Sequence, residues 1–552
     1  MNVAEVVGAT LAGLGATHVF GVVGSGNFHV TNALVAHGVR FVATRHEGGA
    51  ATAADAFARV SGQVGLVSVH QGCGLTNAMT GLAEAAKSRT PMIVLAAEPA
   101  ASALRSNFRV DQDALAVAVG ASSERVRSAA TAVADTVRAW RVAADERRTV
   151  VLNLPLDVQA TPAELTAPPE PVRISPPRAS DEAVGELRDL LAGAERPVFI
   201  AGRGALDARA PLEALAAAYG ALLATSAVAR GLFAGNPWSL DVSGGFATPL
   251  AADLIGAADV VVAWGASLNM WTTRHGRLLE RATVVQVDLE PGTHHAVTLG
   301  VTGDVAATAQ ALLNATAGVE PPESRFPSVP GERAGYRTAD VLERIVAEGR
   351  WRDVSYDDDG DATHIDPRTL SIALDDLIPR ERVVAVDSGN FMGYPSTYLS
   401  VPDQRGFCFT QAFQSIGLGL ASALGAALAA PGRVPVAACG DGGFLMSIAE
   451  LETVRRLGLG LLIVIYNDEA YGAEVHHFGP HGHPLATVTF PETDLAAIAR
   501  GYGCEAVTVR HPADLAPVAA WLAGPREVPM LVDAKVAAGR PSWWLEEAFR
   551  GH

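Results

Sequence analysis

Two aspartates 27 positions apart carry the plainest chemistry in this sequence. Asp441 stands in "VPVAACGDGG" and Asp468 in "LGLLIVIYND", each at the end of a short apolar run of strand character. The intervening "FLMSIAELETVRRLG" reads as a helix, so strand, Gly-rich turn, helix and strand follow one another. In a parallel sheet this unit sets both carboxylates at the carboxyl edge, where open α/β sheets bind ligands. Two carboxylate oxygens beside a carbonyl suit Mg²⁺ or Ca²⁺, with phosphate oxygens and water in the remaining positions. Gly440, Gly442 and Gly443 let the backbone turn sharply around Asp441. The N–H groups of Gly443 and Phe444, opening the next helix, would face the same phosphates.

A third carboxylate sits oddly. In "TRHEGGAATAADAFA", Glu47 precedes two glycines and an Ala-rich helix. A surface Glu in the first turn of a capped helix is the ordinary use of such a residue. A Glu set against small apolar residues otherwise needs a partner. His70, in "VSVHQGCGLTNAMTG", ends a strand-like run before a Gly-rich loop. It is either a proton-transfer group, for which His suits neutral pH, or a hydrogen-bonded loop residue. The run "HHFGPHGH" (His476, His477, His481, His483) invites a zinc reading. Its spacing fits no standard tetrahedral site and lacks Cys or carboxylate partners in register. It reads instead as a lid over a site, with His476 or His477 touching substrate.

The elements that position these residues fall into three blocks. The chain has 552 residues, 49 % hydrophobic and 18 % charged, without a low-complexity tract, which indicates a globular enzyme of about two to four domains. A first block, residues 1–165, alternates strand-like runs ("HVFGVV", "VGLVSVH", "MIVLAAE", "TVVLNLP") with helical ones. A second, 180–318, does the same with "RPVFIAGRG", "ADVVVAWGAS" and "ATVVQVDLEP". A third, 362–552, contributes "RVVAVDSGN", the two aspartate strands and "PMLVDAKV". Pro-rich linkers, "TAPPEPVRISPPR" and "TAGVEPPESRFPSVPGERAG", separate them. Continuous apolar strands alternating with helices predict three α/β domains, each a doubly wound parallel sheet. Net charge is 42 − 59 = −17, which repels nucleic acid and anionic membranes, so neither is an expected partner. Cys73, Cys408, Cys439 and Cys504 form no CxxC pair, as in a reduced cytoplasmic protein. The N-terminus has no basic residue before its apolar ones and makes a poor signal peptide. "IGLGLASALGAALAAPG" is short for a membrane span and reads as a buried helix.

The GDG at 440–442, followed about 25 residues on by Asn-Asp, resembles the signature of the thiamine diphosphate-dependent enzymes. "RHEGGAATAADAFARVSG" is similar to the activating-Glu segment of the same superfamily. The resemblance covers nearly the whole chain, in the order pyrimidine-binding, central and diphosphate-binding domains, and is nearest the acetolactate synthase, benzoylformate decarboxylase and benzaldehyde lyase branch. It implies that Asp441, the Asp468 side chain and the Ala470 carbonyl hold Mg²⁺. Position 468 usually holds Asn in these families, so Asp468 is a departure that adds charge. It further implies that Glu47 bonds N1′ of the cofactor's aminopyrimidine and so promotes loss of the thiazolium C2 proton. Ile416 would wedge the cofactor into its bent shape, the Gln414 carbonyl would accept from the 4′-amino group, and Gly389, Asn390 and Tyr471 would line the cofactor. An ordinary core Ile is the alternative for Ile416. In such enzymes Glu47 serves the partner subunit's cofactor, so a homodimer at least, and a homotetramer, is expected.

The same resemblance supplies the proton-handling set. Ser25 and His70 match benzoylformate decarboxylase, Gln112 matches the Gln that carboligases aim at the cofactor adduct, and Glu474 matches the Glu of pyruvate decarboxylase. His70 and Glu474 lean towards protonation, Gln112 towards carboligation, and surface polarity is the alternative for Gln112. In the central block "AGRG" is too short for a dinucleotide fingerprint. "GASLNMWTTRHG" keeps Arg274 of the acetolactate synthase flavin loop but differs otherwise, which favours a domain without FAD over one that binds it. Trp271 in that stretch would line the substrate pocket. The function expected is decarboxylation of a 2-oxo acid with transfer of the acyl carbanion to a carbonyl acceptor. The alternatives are a non-ligating 2-oxo acid decarboxylase and a 2-hydroxy ketone lyase.

Overall fold

A computed structural model describes residues 1–167, 174–316 and 335–550. Most of the second linker, the boundary at 318 and the middle of the first linker lie outside these residues. The first sheet comprises β1 (His18–Gly21), β2 (Arg40–Ala43), β3 (Gly65–Val69), β4 (Met92–Glu98), β5 (Ser122–Arg125) and β6 (Thr149–Pro155). The central sheet comprises β7 (Pro197–Ala201), β8 (Leu222–Thr225), β9 (Ser239–Val242), β10 (Val260–Trp264), β11 (Thr283–Asp288) and β12 (Leu299–Thr302). The third comprises β13 (Arg382–Val386), β14 (Phe407–Phe409), β15 (Val434–Gly440), β16 (Leu462–Asn467), β17 (Glu505–Val509) and β18 (Met530–Lys535).

All three sheets are six-stranded, with every described pairing parallel. The first runs β2-β1-β3-β4-β6-β5 and the third β14-β13-β15-β16-β18-β17, the same order when each is counted from its own first strand. The central sheet runs β9-β8-β7-β10-β11-β12, the dinucleotide-fold order whose reversal opens a crevice beside β7 and β10. The fold is therefore the expected α/β class, three doubly wound parallel sheets.

Every apolar run quoted above forms a strand. The seven further strands are the six sheet edges and β8. Edge strands such as β2 and β5 are only partly buried, so they need no continuous apolar run.

The first and third sheets share one core, in which Phe20, Val69 and Val94 join Ala385, Cys439 and Ile465. Its centre is the packing of the Glu47–Ser61 helix on the Gly419–Ala429 helix. Ala50, Ala51, Ala53 and Ala54 are fully buried. At Gly425 a Cβ would stand 2.0 Å from the Ala53 carbonyl oxygen, so the two backbones meet only because glycine is there. That contact explains why both segments are rich in Ala and Gly, and it sets Glu47 relative to the third sheet. After the second linker, Tyr336 and Val341 pack into the core of the central sheet, with the Tyr336 hydroxyl donating to the Leu254 carbonyl at 2.9 Å.

Candidate active site

Asp441 begins the Asp441–Ser447 helix at the end of β15, and Asp468 follows β16. Asp441 is 8 % exposed. Burial pushes both carboxyls above the usual carboxylate range, and the Asp441 charge raises Asp468 further, the two being within hydrogen-bonding reach. A buried carboxyl and a half-buried one facing each other are the donor set of a hard divalent cation, whose charge relieves both effects. Gly472 leaves the space this needs, because a Cβ there would lie 2.2 Å from Asp468 Oδ2. Glu469 takes a left-handed conformation (φ 56°), which turns the chain so that Ala470 and Tyr471 reach the cavity wall. The residues present therefore fit a diphosphate-bound metal.

These groups line a cavity of ≈ 1310 Å³ together with Gly389, Asn390, Gln414, Ile416, Gly440, Gly442, Gly443 and Glu474. Ile416 is half-buried, not sealed in a core, and Gln414 adopts φ 60°. Phe444 is fully buried beneath the turn, so it can offer its backbone but not its side chain. The Gly472–Phe478 helix starts immediately past the turn and carries Ala473 and Glu474 on the cavity wall. The cavity continues to the carboxyl edge of the central sheet, where Gly204, Gly265 and Trp271 line it.

Glu47, Ser25, His70 and Gln112 do not line this cavity; they gather at the carboxyl edge of the first sheet. Glu47 is 9 % exposed, and its Oε2 accepts the Asn77 amide N–H at 3.0 Å, which leaves Oε1 for another partner. The glycines after Glu47 serve contacts within the chain. A Cβ on Gly49 would meet Glu450 Oε1 at 2.4 Å, and one on Gly48 would meet His46 Nδ1 at 3.0 Å. His70 Nδ1 accepts the Gly26 N–H at 3.2 Å, an assignment that puts the ring proton on Nε2. Burial lowers the His70 pKa against the pull of the Glu47 charge. Ser25 is exposed on the loop over His70, a loop shaped by Asn27, whose Oδ1 accepts the Gly24 N–H at 2.8 Å.

Gln112 is not the surface residue of its alternative reading. It is 1 % exposed; its Oε1 accepts the Gly72 N–H at 3.1 Å, and its Nε2 donates to Asn153 Oδ1 at 2.7 Å. The amide is not on the surface, and it ties the loop after His70 to β6. Arg274 is similarly committed, donating to the carbonyls of Gly244 and Ala247 at 2.9 and 3.1 Å. His477 lies flat on Phe549, with ring centroids 4.0 Å apart. Among the described residues no group of three or more His, Cys, Asp or Glu side chains gathers to hold a metal. All four cysteines are free thiols, three of them buried. No described helix is long and apolar enough to cross a membrane.

Three features escaped the sequence reading: Asn77, the carboxylates Glu84, Asp387 and Glu450, and a C-terminal strap. In the strap, Ser542 and Trp544 donate to the Asn390 carbonyl at 2.7 and 3.1 Å. Leu545, Ala548 and Phe549 then wall the cavity. The paired tryptophans in "PSWWLEEAF" were the one available signal.

Comparison with known families shows where the chain belongs. The profiles described as thiamine pyrophosphate enzyme N-terminal TPP binding, central and C-terminal TPP binding domains match residues 1–117, 184–312 and 387–534. The chain belongs to the thiamine pyrophosphate enzyme family. Its relatives include a probable 2-ketoarginine decarboxylase of Pseudomonas aeruginosa, 30 % identical over 527 residues (92 % of this chain, 88 % of the relative). A sulfoacetaldehyde acetyltransferase of Castellaniella defragrans is 27 % identical over 552 residues (94 % and 90 %). The large subunit of acetolactate synthase isozyme 2 of Escherichia coli is 28 % identical over 484 (86 % and 84 %). This thiamine pyrophosphate enzyme thus has decarboxylases, acetyltransferases and synthases among its relatives.

Proposed function

We propose that the protein decarboxylates a 2-oxo acid and releases the aldehyde, using thiamine diphosphate held through Mg²⁺. The observation that carries this reading is Glu474, on the cavity wall immediately after the two-aspartate turn, while the Gln112 amide is committed elsewhere. When bound, thiamine diphosphate supplies a thiazolium C2 that adds to the 2-oxo carbonyl and takes up the electron pair left by CO₂. The protein's own groups do the rest. Asp441, Asp468 and the Ala470 carbonyl would hold the metal and, through it, the diphosphate. Glu47, with Asn77 holding Oε2 and Oε1 open, would exchange a proton with N1′ of the aminopyrimidine. Glu474 and the Nε2–H of His70 would deliver the proton that replaces CO₂, with Ser25 beside them. Because Glu47 and His70 stand away from the Asp441 cavity of their own chain, they would serve a second copy, so the working unit is at least a homodimer.

Ligation to a carbonyl acceptor is the second reading. The ≈ 1310 Å³ cavity leaves room for an acceptor beside the donor, and relatives named as an acetyltransferase and an acetolactate synthase support a group transfer. The deciding experiment incubates the protein with thiamine diphosphate, Mg²⁺ and a panel of 2-oxo acids, basic, aromatic and branched, with and without an added aldehyde. CO₂ with equimolar free aldehyde upholds the decarboxylase. Consumption of the added aldehyde into a 2-hydroxy ketone replaces that reading with the ligase, and CO₂ release from none of the acids removes both.

A further inference from the structure

The helix opened by Glu47 and the loop carrying Gln414 and Ile416 lie in different domains, and each is gripped by a buried carboxylate from the other. Glu450, in the third domain, is 1 % exposed. Its Oε1 accepts the backbone N–H groups of Arg45 and His46, both at 3.0 Å, the two residues before Glu47. Its Oε2 accepts the Thr453 hydroxyl at 2.7 Å. Glu84, in the first domain, is fully buried. Its Oε2 accepts the Phe413 N–H at 2.7 Å, one residue before the left-handed Gln414. Its Oε1 takes Arg59 Nη2 at 2.8 Å and the Ser88 hydroxyl at 3.1 Å. Arg59 also donates to the Phe409 carbonyl at 2.9 Å, so the first domain holds the loop at two points. Asp387 holds its far end, accepting from Gly417 N and Leu418 N at 3.0 and 3.1 Å.

Burying a carboxylate is expensive, and among the described residues Glu450 hydrogen-bonds no cationic side chain in return. What it gains is a fixed position for the two amides that lead into Glu47. We infer that Glu450 and Glu84 are reciprocal positioning residues: Glu450 aims the carboxyl of Glu47, and Glu84 sets the cofactor-facing backbone at Gln414. The inference rests on the functional reading above, in which both segments meet thiamine diphosphate. It divides the work, since Gln414 belongs to cofactor seating and Glu47 to proton exchange. Losing either carboxylate therefore damages a different step.

The test uses the full chain with Mg²⁺ and thiamine diphosphate. Cofactor binding is read from tryptophan fluorescence, Trp271 and Trp544 lining the cavity, and the C2 proton of bound cofactor is followed by deuterium exchange with acid quench. Circular dichroism checks folding. Glu84→Ala is expected to weaken cofactor binding by about 10-fold or more with C2 exchange of the bound cofactor within about threefold of wild type. Glu450→Ala is expected to leave binding within about threefold and slow C2 exchange by about 10- to 100-fold. Glu84→Gln and Glu450→Gln, which keep an acceptor oxygen, recover most of each loss. Should an alanine variant fail to fold, Glu→Asp at the same position, which withdraws the carboxylate by one methylene, must show the same split. Equal loss of both readouts in both variants, or no change in either, overturns the positioning roles. Absence of cofactor binding by the wild type overturns the functional reading itself, and the inference with it.

Discussion

After the third strand of the first sheet the chain places His70; in the same topological slot of the third sheet it places Asp441. The slot after the second strand holds Glu47 in one and the Gln414–Ile416 loop in the other. After the fourth strand the contrast is sharpest. Glu98, closing β4, is neutralised by an ion pair with Arg125, whereas Asp468, after β16, faces another carboxyl. One edge pairs its fourth-strand carboxylate with a cation and offers proton-handling groups. The other holds two carboxyls raised above the usual range, oxygen donors of the kind that suit a divalent cation. The shared strand order brings neither property; the residues at the strand ends do.

If the division of labour is right, its largest expression is at Glu47. Glu47→Gln should cut turnover by about 10³-fold while cofactor affinity stays within about threefold, measured by initial rates and fluorescence titration. Asp441→Asn should weaken Mg²⁺-dependent cofactor binding by about 10- to 100-fold in affinity. Mixing and refolding the two inactive variants together should restore about a quarter of wild-type activity, since half the dimers are mixed and each holds one intact pair of edges. No recovery would place both edges of a working site in a single chain and break the comparison.

Next in size, His70→Ala should lower kcat by about 10²-fold without altering the cofactor Kd. A change in Kd would mean that the first edge also seats the cofactor. Asp387 sharpens the contrast through pH. Burial pushes its carboxyl up to about 6, against the backbone N–H groups that it accepts. The native state therefore holds more protons than the unfolded chain from about pH 4 upward, and wild type loses stability as pH rises through that window. Asp387→Asn cannot titrate there, so the Tm gap between wild type and variant should narrow from pH 4.5 to 7. The smallest effect belongs to Gln112→Ala, about 2–4 °C in Tm with kcat within about threefold, because its amide is structural.

How far the sequence was readable follows the same physics. Interior strands other than β8 advertise themselves by continuous apolar runs, and Asp441 and Asp468 by their position at the ends of two such runs. Edge strands, half in water, have no such pattern, and all six went unnoticed. Local chemistry was legible at Glu47, but the reason for its glycines was not. Gly49 is small because Glu450 lies against it, some 400 positions away in sequence. Gln112 misled for a related reason, since a polar residue near a site looks the same in sequence whether it faces a ligand or ties a loop to Asn153.

The Ser542–Trp544 strap spans 154 positions to reach Asn390, and this bears on when the site exists. Contacts between neighbours in sequence form early, and loops of this length close late. The three sheets can therefore assemble while the loop at Asn390 is still unfastened. In refolding, helical signal should return before the cofactor site does. Under mild denaturant the order reverses, and catalytic competence goes first from a protein that still has its secondary structure.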